Sequence, residues 1–330
     1  MRDQRADRPA TCGPGPGARD PQEVAQEEKG SGTFCRNGPQ GASHKRYLTP
    51  SLLRVTAPGA RSTEPVDLCR VGAAAGPEAV ADRVIVEEPL TILVDRVGSF
   101  TILCTPSDLP ALAAGFVFSE GMIRSAEDIL AVFTKDHLPN TIGIEIREPA
   151  RQGIARNLVV ASSCGMCGVR NLQNLLATVA ACPQSLHVPQ RLVLEVVENL
   201  RPMQTDFALT GSAHAAALFD RAGTVLAFAE DIGRHNALDK AIGKCLLEKR
   251  LPRGCGAALS GRISLEMVAK AARAGIELIV AVSGVSSYAI TAARQWNITL
   301  CGFVRHGRIN IYTNPTRIQL DPDGRKAHDG

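Results

Sequence analysis

The sequence predicts an α/β protein of two globular units, a larger one built on a partly parallel sheet and a smaller α+β one ahead of it. Length and composition carry the first part of this: 330 residues, 45% of them hydrophobic, suffice for about two domains at roughly 150 residues each. From Phe207 onward, strand-like apolar runs alternate with helix-patterned segments of about ten residues, the rhythm of βαβ units. From Asp82 to Ala161, strand-like runs dominate, with fewer helices between them.

Residues 1–81 are rich in Pro, Gly, Arg and Ser and lack apolar periodicity. Such a segment buries too little apolar surface to offset its ordering entropy, so it reads as a poorly ordered extension without a catalytic group. Within 82–161, RVIVEEPLTILVD and SFTILCT read as two strands joined at Arg96-Val97-Gly98. Ser107 is placed to cap a helix from Asp108 to Glu120, which Gly121 would stop. Ser125 and Asp128 form a box-like cap on a second, short helix. Ile142, Ile144 and Ile146 alternate along a further strand, and Leu158 to Ala161 lead into a cysteine pair. Residues 162–200 read as a loop and a helical connection, including a helix from Val169 to Ala180.

The 201–330 unit follows in order. Strands Ala215–Phe219 and Thr224–Ala229 flank the turn signal Asp220-Arg221-Ala222-Gly223. Then come helix Asn236–Glu248, strand Ala257–Leu259, helix Ser264–Ala274, strand Ile276–Val282, helix Ser287–Trp296 and strand Ile298–Val304. In open sheets of this kind, ligands bind beyond the carboxyl ends of the strands.

Composition narrows the function. Aromatic residues are only 4% of the chain, too few for a single-strand nucleic-acid stacking platform. A formal charge of +4 does not mark a whole-chain nucleic-acid binder. No apolar run reaches the roughly 18 residues of a membrane span, and there is no charged-then-apolar leader. A cytosolic location follows as the expectation, where thiols stay reduced and a close cysteine pair binds metal or does chemistry.

That pair is Cys164 and Cys167, in Ser162-Ser163-Cys164-Gly165-Met166-Cys167-Gly168. Backbone N–H groups at a helix start, with Arg170 nearby, favour thiolate over thiol. A thiolate can accept sulfane sulfur, form a disulfide or bind a soft metal, and the spacing does not choose among them. A structural zinc site would need a second CxxC or an H-x₃₋₅-H pair, and neither is present. A zinc deaminase would need H-x-E, and none of the seven histidines has Glu two residues later. Cys182, Cys245, Cys255 and Cys301 sit in apolar surroundings and read as core. Gly165 and Gly168 predict a mobile loop around the pair.

Five polar segments punctuate the second unit: Thr210–His214, Glu230–Asn236, Ser260–Arg262, Ser283–Ser287 and Arg305–Arg308. Gly-rich turns that open helices present N–H groups to anions, and arginine adds a fork suited to phosphate. The alternative is structural: Asp231, Ser283 and Ser286 as caps and the arginines on solvated edges. Five such segments on one sheet favour an anionic, nucleotide-like ligand, although neither a P-loop nor G-x-G-x-x-G occurs. His235 reads as a ligand contact, His214 as either core or functional, and Asp239 and Lys240 as a solvated continuation of their helix.

Taken together and in order, LAAGFVFSEGMI, SSCGMCGV, LTGSAHAAAL, EDIGRHNALDKAIG, SGRISLEMVAKAARAGI and GFVRHGRINIYT resemble the formate dehydrogenase accessory protein family, FdhD, from about Val84 to Thr313. The resemblance implies a cytidine-deaminase-like, three-layer α/β/α fold for the larger unit, without its zinc site. It implies a carrier that takes sulfane sulfur from a cysteine desulfurase as a persulfide. The carrier then passes the sulfur to the bis(guanylyl molybdopterin) form of the molybdenum cofactor, the cargo, before insertion into formate dehydrogenase. Cys164 falls on the family's persulfide carrier and Cys167 on its assisting cysteine. The cofactor-binding stretch falls on Phe303, Val304, Arg305, His306, Gly307 and Arg308. Arg234, His235 and Arg262 are further candidate contacts, and no structural metal is expected. Exposed sheet edges could pair two copies into a homodimer. The rivals are a cofactor-binding chaperone with a redox-sensing cysteine pair, and a zinc-binding interaction module.

Overall fold

Two six-stranded sheets face each other across a pair of close-packed helices. The computed structural model describes residues 45–47, 61–73, 76–135, 138–149, 158–159 and 179–320, all of which belong to one compact unit, 43–330. The cysteine pair with its flanking glycines, and most of the predicted helix from Val169, lie outside the described residues.

The first sheet joins β1 (Lys45–Tyr47), β4 (Glu88–Val94), β5 (Gly98–Cys104), β6 (Ile129–Lys135), β7 (Leu138–Ile146) and β8 (Leu158–Val159), in the order β1-β6-β7-β4-β5-β8. Alternation explains its strands: Leu90, Ile92 and Val94 of β4, with Phe100, Ile102 and Cys104 of β5, all turn into the core. The hairpin at Arg96–Gly98 forms as predicted, Val94 pairing with Gly98. The strand predicted from RVIVEEPLTILVD, residues 83–95, is in fact two. Its first half joins a separate hairpin of β2 (Thr63–Arg70) and β3 (Glu78–Ile85), so regular structure begins ahead of Asp82. Both strands of that ribbon are mostly exposed. Its order comes from backbone pairing, which leaves no apolar pattern in the sequence.

The second sheet has the order β11-β10-β12-β13-β14-β15. Its strands are β10 (His214–Phe219), β11 (Val225–Asp231), β12 (Cys255–Leu259), β13 (Ile276–Ala281), β14 (Thr299–Arg305) and β15 (Arg308–Thr313). β12, β13 and β14 are parallel, and the flanking strands are antiparallel. One face, with Ala215, Ala217, Phe219, Leu278, Val280 and Cys301, packs on Leu192, Val193, Val196 and Val197 of α2 (Gln190–Glu198). The other face joins α5 (Arg234–Leu247), α6 (Leu265–Ala274) and α7 (Ser287–Gln295) in a core that runs on into the first sheet. Short α3 (Leu200–Met203) and α4 (Thr205–Thr210) follow α2. A two-residue ribbon pairs β9 (Val188–Pro189) with β16 (Ile318–Gln319).

Helix α1 (Leu109–Ser119) is buried on every side, as a helix apolar all round must be. Its N-cap is Asp108, not Ser107, and Asp108 makes no cap bond of its own. Instead Ser107 Oγ accepts a hydrogen bond from Lys240 Nζ, and Asp108 pairs with Lys244 at 2.7 Å. α1 lies backbone to backbone on α5. A Cβ on Gly115 would stand 1.8 Å from the Asp239 carbonyl oxygen, and one on Gly243 would stand 1.8 Å from that of Ala111. Gly243→Ala should therefore force the helices apart and cost at least about 1–3 kcal/mol. Gly76→Ala, with nothing within 4 Å of the new methyl, should stay within about 0.5 kcal/mol. Urea midpoints of the two variants check this.

The helix surface predicted to be solvated is instead the interior. Asp239 and Lys240 are 2% and 0% exposed. Lys270 Nζ donates to Asp239 at 2.7 Å, as does Ser119 Oγ at 2.6 Å. A charged pair in sequence looks like a wet face, but here each charge meets a partner from another element, which is how buried charges persist.

Candidate functional site

All five polar segments fall along one edge of the second sheet. β12, β13 and β14 are parallel and end there, at Leu259, Ala281 and Arg305. β11 also ends at that edge and antiparallel β10 begins there, His214 pairing with Asp231. The strand-end loops are knitted together: Ile263 N–H donates to Gly284 O and Ser286 N–H to Ile263 O. Ser286 caps α7 by accepting the N–H of Ala289.

A cleft of about 880 Å³ opens on this edge. Its floor is Gly211–His214, Ser260 and Val282, with Val304, Arg305 and His306 on one side. The other wall is helical, from Leu194, Glu198, Arg201 and Phe207, and the Arg201 guanidinium lies 4.4 Å from the Phe207 ring centroid. Sequence reasoning singled out none of this wall. Its trace in the sequence was the apolar spacing of Leu192, Val193, Val196 and Val197, inside the span read only as a helical connection.

The β14–β15 hairpin shapes the third side. His306 and Gly307, at φ 51° and 70°, form the turn, and Arg305 pairs with Arg308 across it. Phe303 holds φ 52° at the bulge between Gly302 and Arg305, a conformation that costs a bulky residue energy. Two contacts hold it: Phe303 N–H donates to Ser283 O, and its ring covers Gly284, where a Cβ would come within 3.0 Å of it. The Arg305 guanidinium stands 5.8 Å from the same ring. Val304 is buried, while Arg305, His306, Gly307 and Arg308 are exposed. Phe303, Gly307 and Arg308 stand outside the cleft lining.

Three further predicted contacts sit at the β11–α5 corner and on the loop after β12. His235 is 7% exposed and its Nε2 lies 2.8 Å from Glu266 Oε2, so its imidazole meets α6. Arg234 is half-buried and Arg262 exposed. His214, half-buried at the cleft floor, is held below the ordinary imidazole range, first by burial and then by Arg234, Arg262 and His235.

Asp231 is committed to structure. Its Oδ2 accepts from Lys240 Nζ at 2.7 Å and from Thr105 N–H at 3.1 Å. Its Oδ1 accepts from Gly233 N–H at 2.8 Å and Asn236 Nδ2 at 3.0 Å. Lys240 also donates to the carbonyls of Thr105 and Glu230. Glu230 in turn receives the N–H groups of Asp206 and Phe207 at the start of α4. This hub fastens the end of β5 to the start of α5.

Among the described cysteines, the core thiols are poorly suited to chemistry. Burial pushes Cys182 and Cys245 up to about 11 and Cys104 and Cys301 up to about 12, and Cys255 is raised as well. They are protonated at neutral pH, and a thiol is a poor nucleophile. No group of three or more His, Cys, Asp or Glu among the described residues is placed to hold a metal ion. No helix among them is long and apolar enough to cross a membrane.

Known proteins resemble this chain in sequence, and a solved structure resembles it in fold. "Sulfur carrier protein FdhD" of Anaeromyxobacter dehalogenans is 38% identical over 292 residues, spanning 83% of this chain and 99% of the relative. The protein of the same name from Saccharolobus solfataricus is 38% identical over 242 residues, 72% of this chain and 91% of its own. A solved structure from Desulfotalea psychrophila, described as a formate dehydrogenase accessory protein, shares the fold at a TM-score of 0.66 and 23% identity, over 78% of this chain and 100% of that one. The model of the FdhD/NarQ family matches residues 85–319, and with these relatives it shows that the chain belongs to the FdhD/NarQ family.

Proposed function

We propose that this chain is a sulfurtransferase of the carrier type, serving formate dehydrogenase in the cytoplasm. Cys164 attacks the outer sulfur of a cysteine desulfurase persulfide; the donor's S–S bond breaks, the donor leaves as thiolate, and Cys164 carries the sulfur. Cys167 assists its release to bis(guanylyl molybdopterin) molybdenum cofactor, held as substrate along the polar sheet edge.

The observation that carries this reading is the gathering of five polar segments, with Arg234, Arg262, Arg305 and Arg308, on one sheet edge. A cargo with two nucleotide arms carries several phosphates and needs more than one cationic site. Chain connectivity supports the same reading. Val159 pairs beside Thr101 of β5, and β5 leads to Thr105, which is bonded to Asp231 at that corner. Cys164 follows Val159 by five residues, a span of at most about 18 Å. The layers α2, second sheet, and α5–α7 support reading the larger unit as cytidine-deaminase-like.

Cells lacking their own family member, supplied with this chain, provide the test. The wild type should restore formate dehydrogenase activity, Cys164→Ser should abolish it, and Arg305→Gln with Arg308→Gln should lower it at least tenfold through lost phosphate contacts of about 1.5 kcal/mol or more. Restoration by the double variant Cys164→Ser, Cys167→Ser would instead support a cofactor chaperone whose cysteines only sense redox state.

A further inference from the structure

His214 begins β10 on the cleft floor, where its imidazole and Arg234 flank Gly261. A Cβ on Gly261 would stand 3.3 Å from His214 Nδ1 and 3.6 Å from Arg234 Cβ. With no side chain there, the imidazole and the base of the arginine close in from two sides. Arg262 follows directly in the chain and is exposed. Arg234 and Arg262 form no ion pair among the described residues, and Arg234 Nε is shut off from solvent with no hydrogen-bond partner.

Among the described residues, nothing compensates these cations. From β11, Asp231 faces His214, but both its oxygens are taken by Lys240, Thr105, Gly233 and Asn236. From α5, His235 is engaged with Glu266 of α6. Across the cleft stand Glu198 and Arg201 from the helical wall, and Arg305 and His306 from the hairpin. A half-buried imidazole beside two guanidinium groups that meet no carboxylate among the described residues is a site short of an anion.

We propose that His214, Arg234 and Arg262 form an oxyanion site for a phosphate group, and that His214 takes up a proton from solvent when the anion binds. The two guanidinium groups supply fixed charge and forked donors. Neutral His214 gives way to imidazolium, which donates a third charge-assisted hydrogen bond. Burial first, then Arg234 and Arg262, holds the free imidazole below its ordinary range. An anion between them reverses the sign of the local field, so binding and protonation reinforce each other. The proposal rests on the cleft being a cofactor site only for its biological use; phosphate binding itself does not require the cysteines.

The test follows the His214 ring resonance by NMR across pH in the full chain, with His214→Asn identifying the signal. One sample contains saturating inorganic phosphate and the other sodium chloride at equal ionic strength. In chloride the imidazole should titrate below the ordinary range. In phosphate it should titrate about one pH unit higher or more, as expected for an opposite charge within hydrogen-bonding reach. In the Arg234→Gln, Arg262→Gln double variant it should titrate higher in chloride already and gain nothing from phosphate. Identical wild-type titrations in the two salts would overturn the proposal without needing any variant. Sulfur loading of Cys164 is read separately, so loss of one result leaves the other standing.

Discussion

Lys240→Met should cost about 3–5 kcal/mol of stability, the penalty for leaving a buried charge without its partner. The lysine and Asp231 are both 0% exposed, and Nζ reaches Oδ2 at 2.7 Å. Methionine fills much of the same volume, so packing changes little and the loss is electrostatic. Asp231 keeps the N–H groups of Thr105 and Gly233 and the Asn236 amide, but these cannot offset a full buried negative charge. Adding Asp231→Asn to Lys240→Met should recover part of the loss, because the orphaned charge goes with it. Guanidinium denaturation of the single and double variants measures both effects. A double variant less stable than Lys240→Met would show that the Asp231 carboxylate is stabilising without its lysine.

Arg317→Leu should be comparably damaging, by about 3–5 kcal/mol near neutral pH, with a distinctive pH dependence. Arg317 and Glu277 are both fully buried and paired at 3.2 Å. Burial alone would raise the Glu277 carboxyl, but hydrogen bonds from Ser185, Leu186 and Arg317 outweigh it and hold the group below its ordinary 4.5. Its folded value is depressed, so its contribution in the wild type is complete above about pH 4.5 and fades as pH falls through the folded value. Without Arg317, burial gains against the remaining hydrogen bonds, the carboxyl shifts upward, and protonation relieves the orphaned charge. The deficit of the variant should therefore shrink as pH falls toward 4.5. A deficit constant from pH 7 to 5 would contradict the assigned role of Glu277. The same pair anchors the chain downstream of the cysteine segment, since Arg317 also donates to Pro183 O and Ser185 N–H to Glu277.

The elements legible in the sequence were those whose signal is local. β10 to β14, α5, α6 and α7 lie within a few residues of their predicted positions, because short apolar runs and glycine stops mark a strand or helix whatever surrounds it. The β2–β3 ribbon was not legible, because its order resides in backbone pairing between exposed residues. Ser107 looked like a cap but serves Lys240 from across the core. Asp239 and Lys240 looked solvated because their partners, Lys270, Ser119 and Asp231, lie on other elements.

For the candidate site, the sequence located the polar strand ends but not how they are shared out. The sheet order divides them: Ser260, His214, Arg305 and His306 line the cleft, Asp231 is spent on structure, and His235 meets Glu266. The helical wall was missed because residues that line a cleft through one helical face carry the same apolar spacing as any packed helix.

The central claim is that Cys164 carries sulfur. The full chain, incubated with a cysteine desulfurase and cysteine and then weighed intact, should gain the mass of one sulfur atom. Reduction should remove it, Cys164→Ser should abolish it, and Cys69→Ser should retain it. A wild-type chain that gains no sulfur, or a Cys164→Ser chain that gains as much as the wild type, would contradict the account.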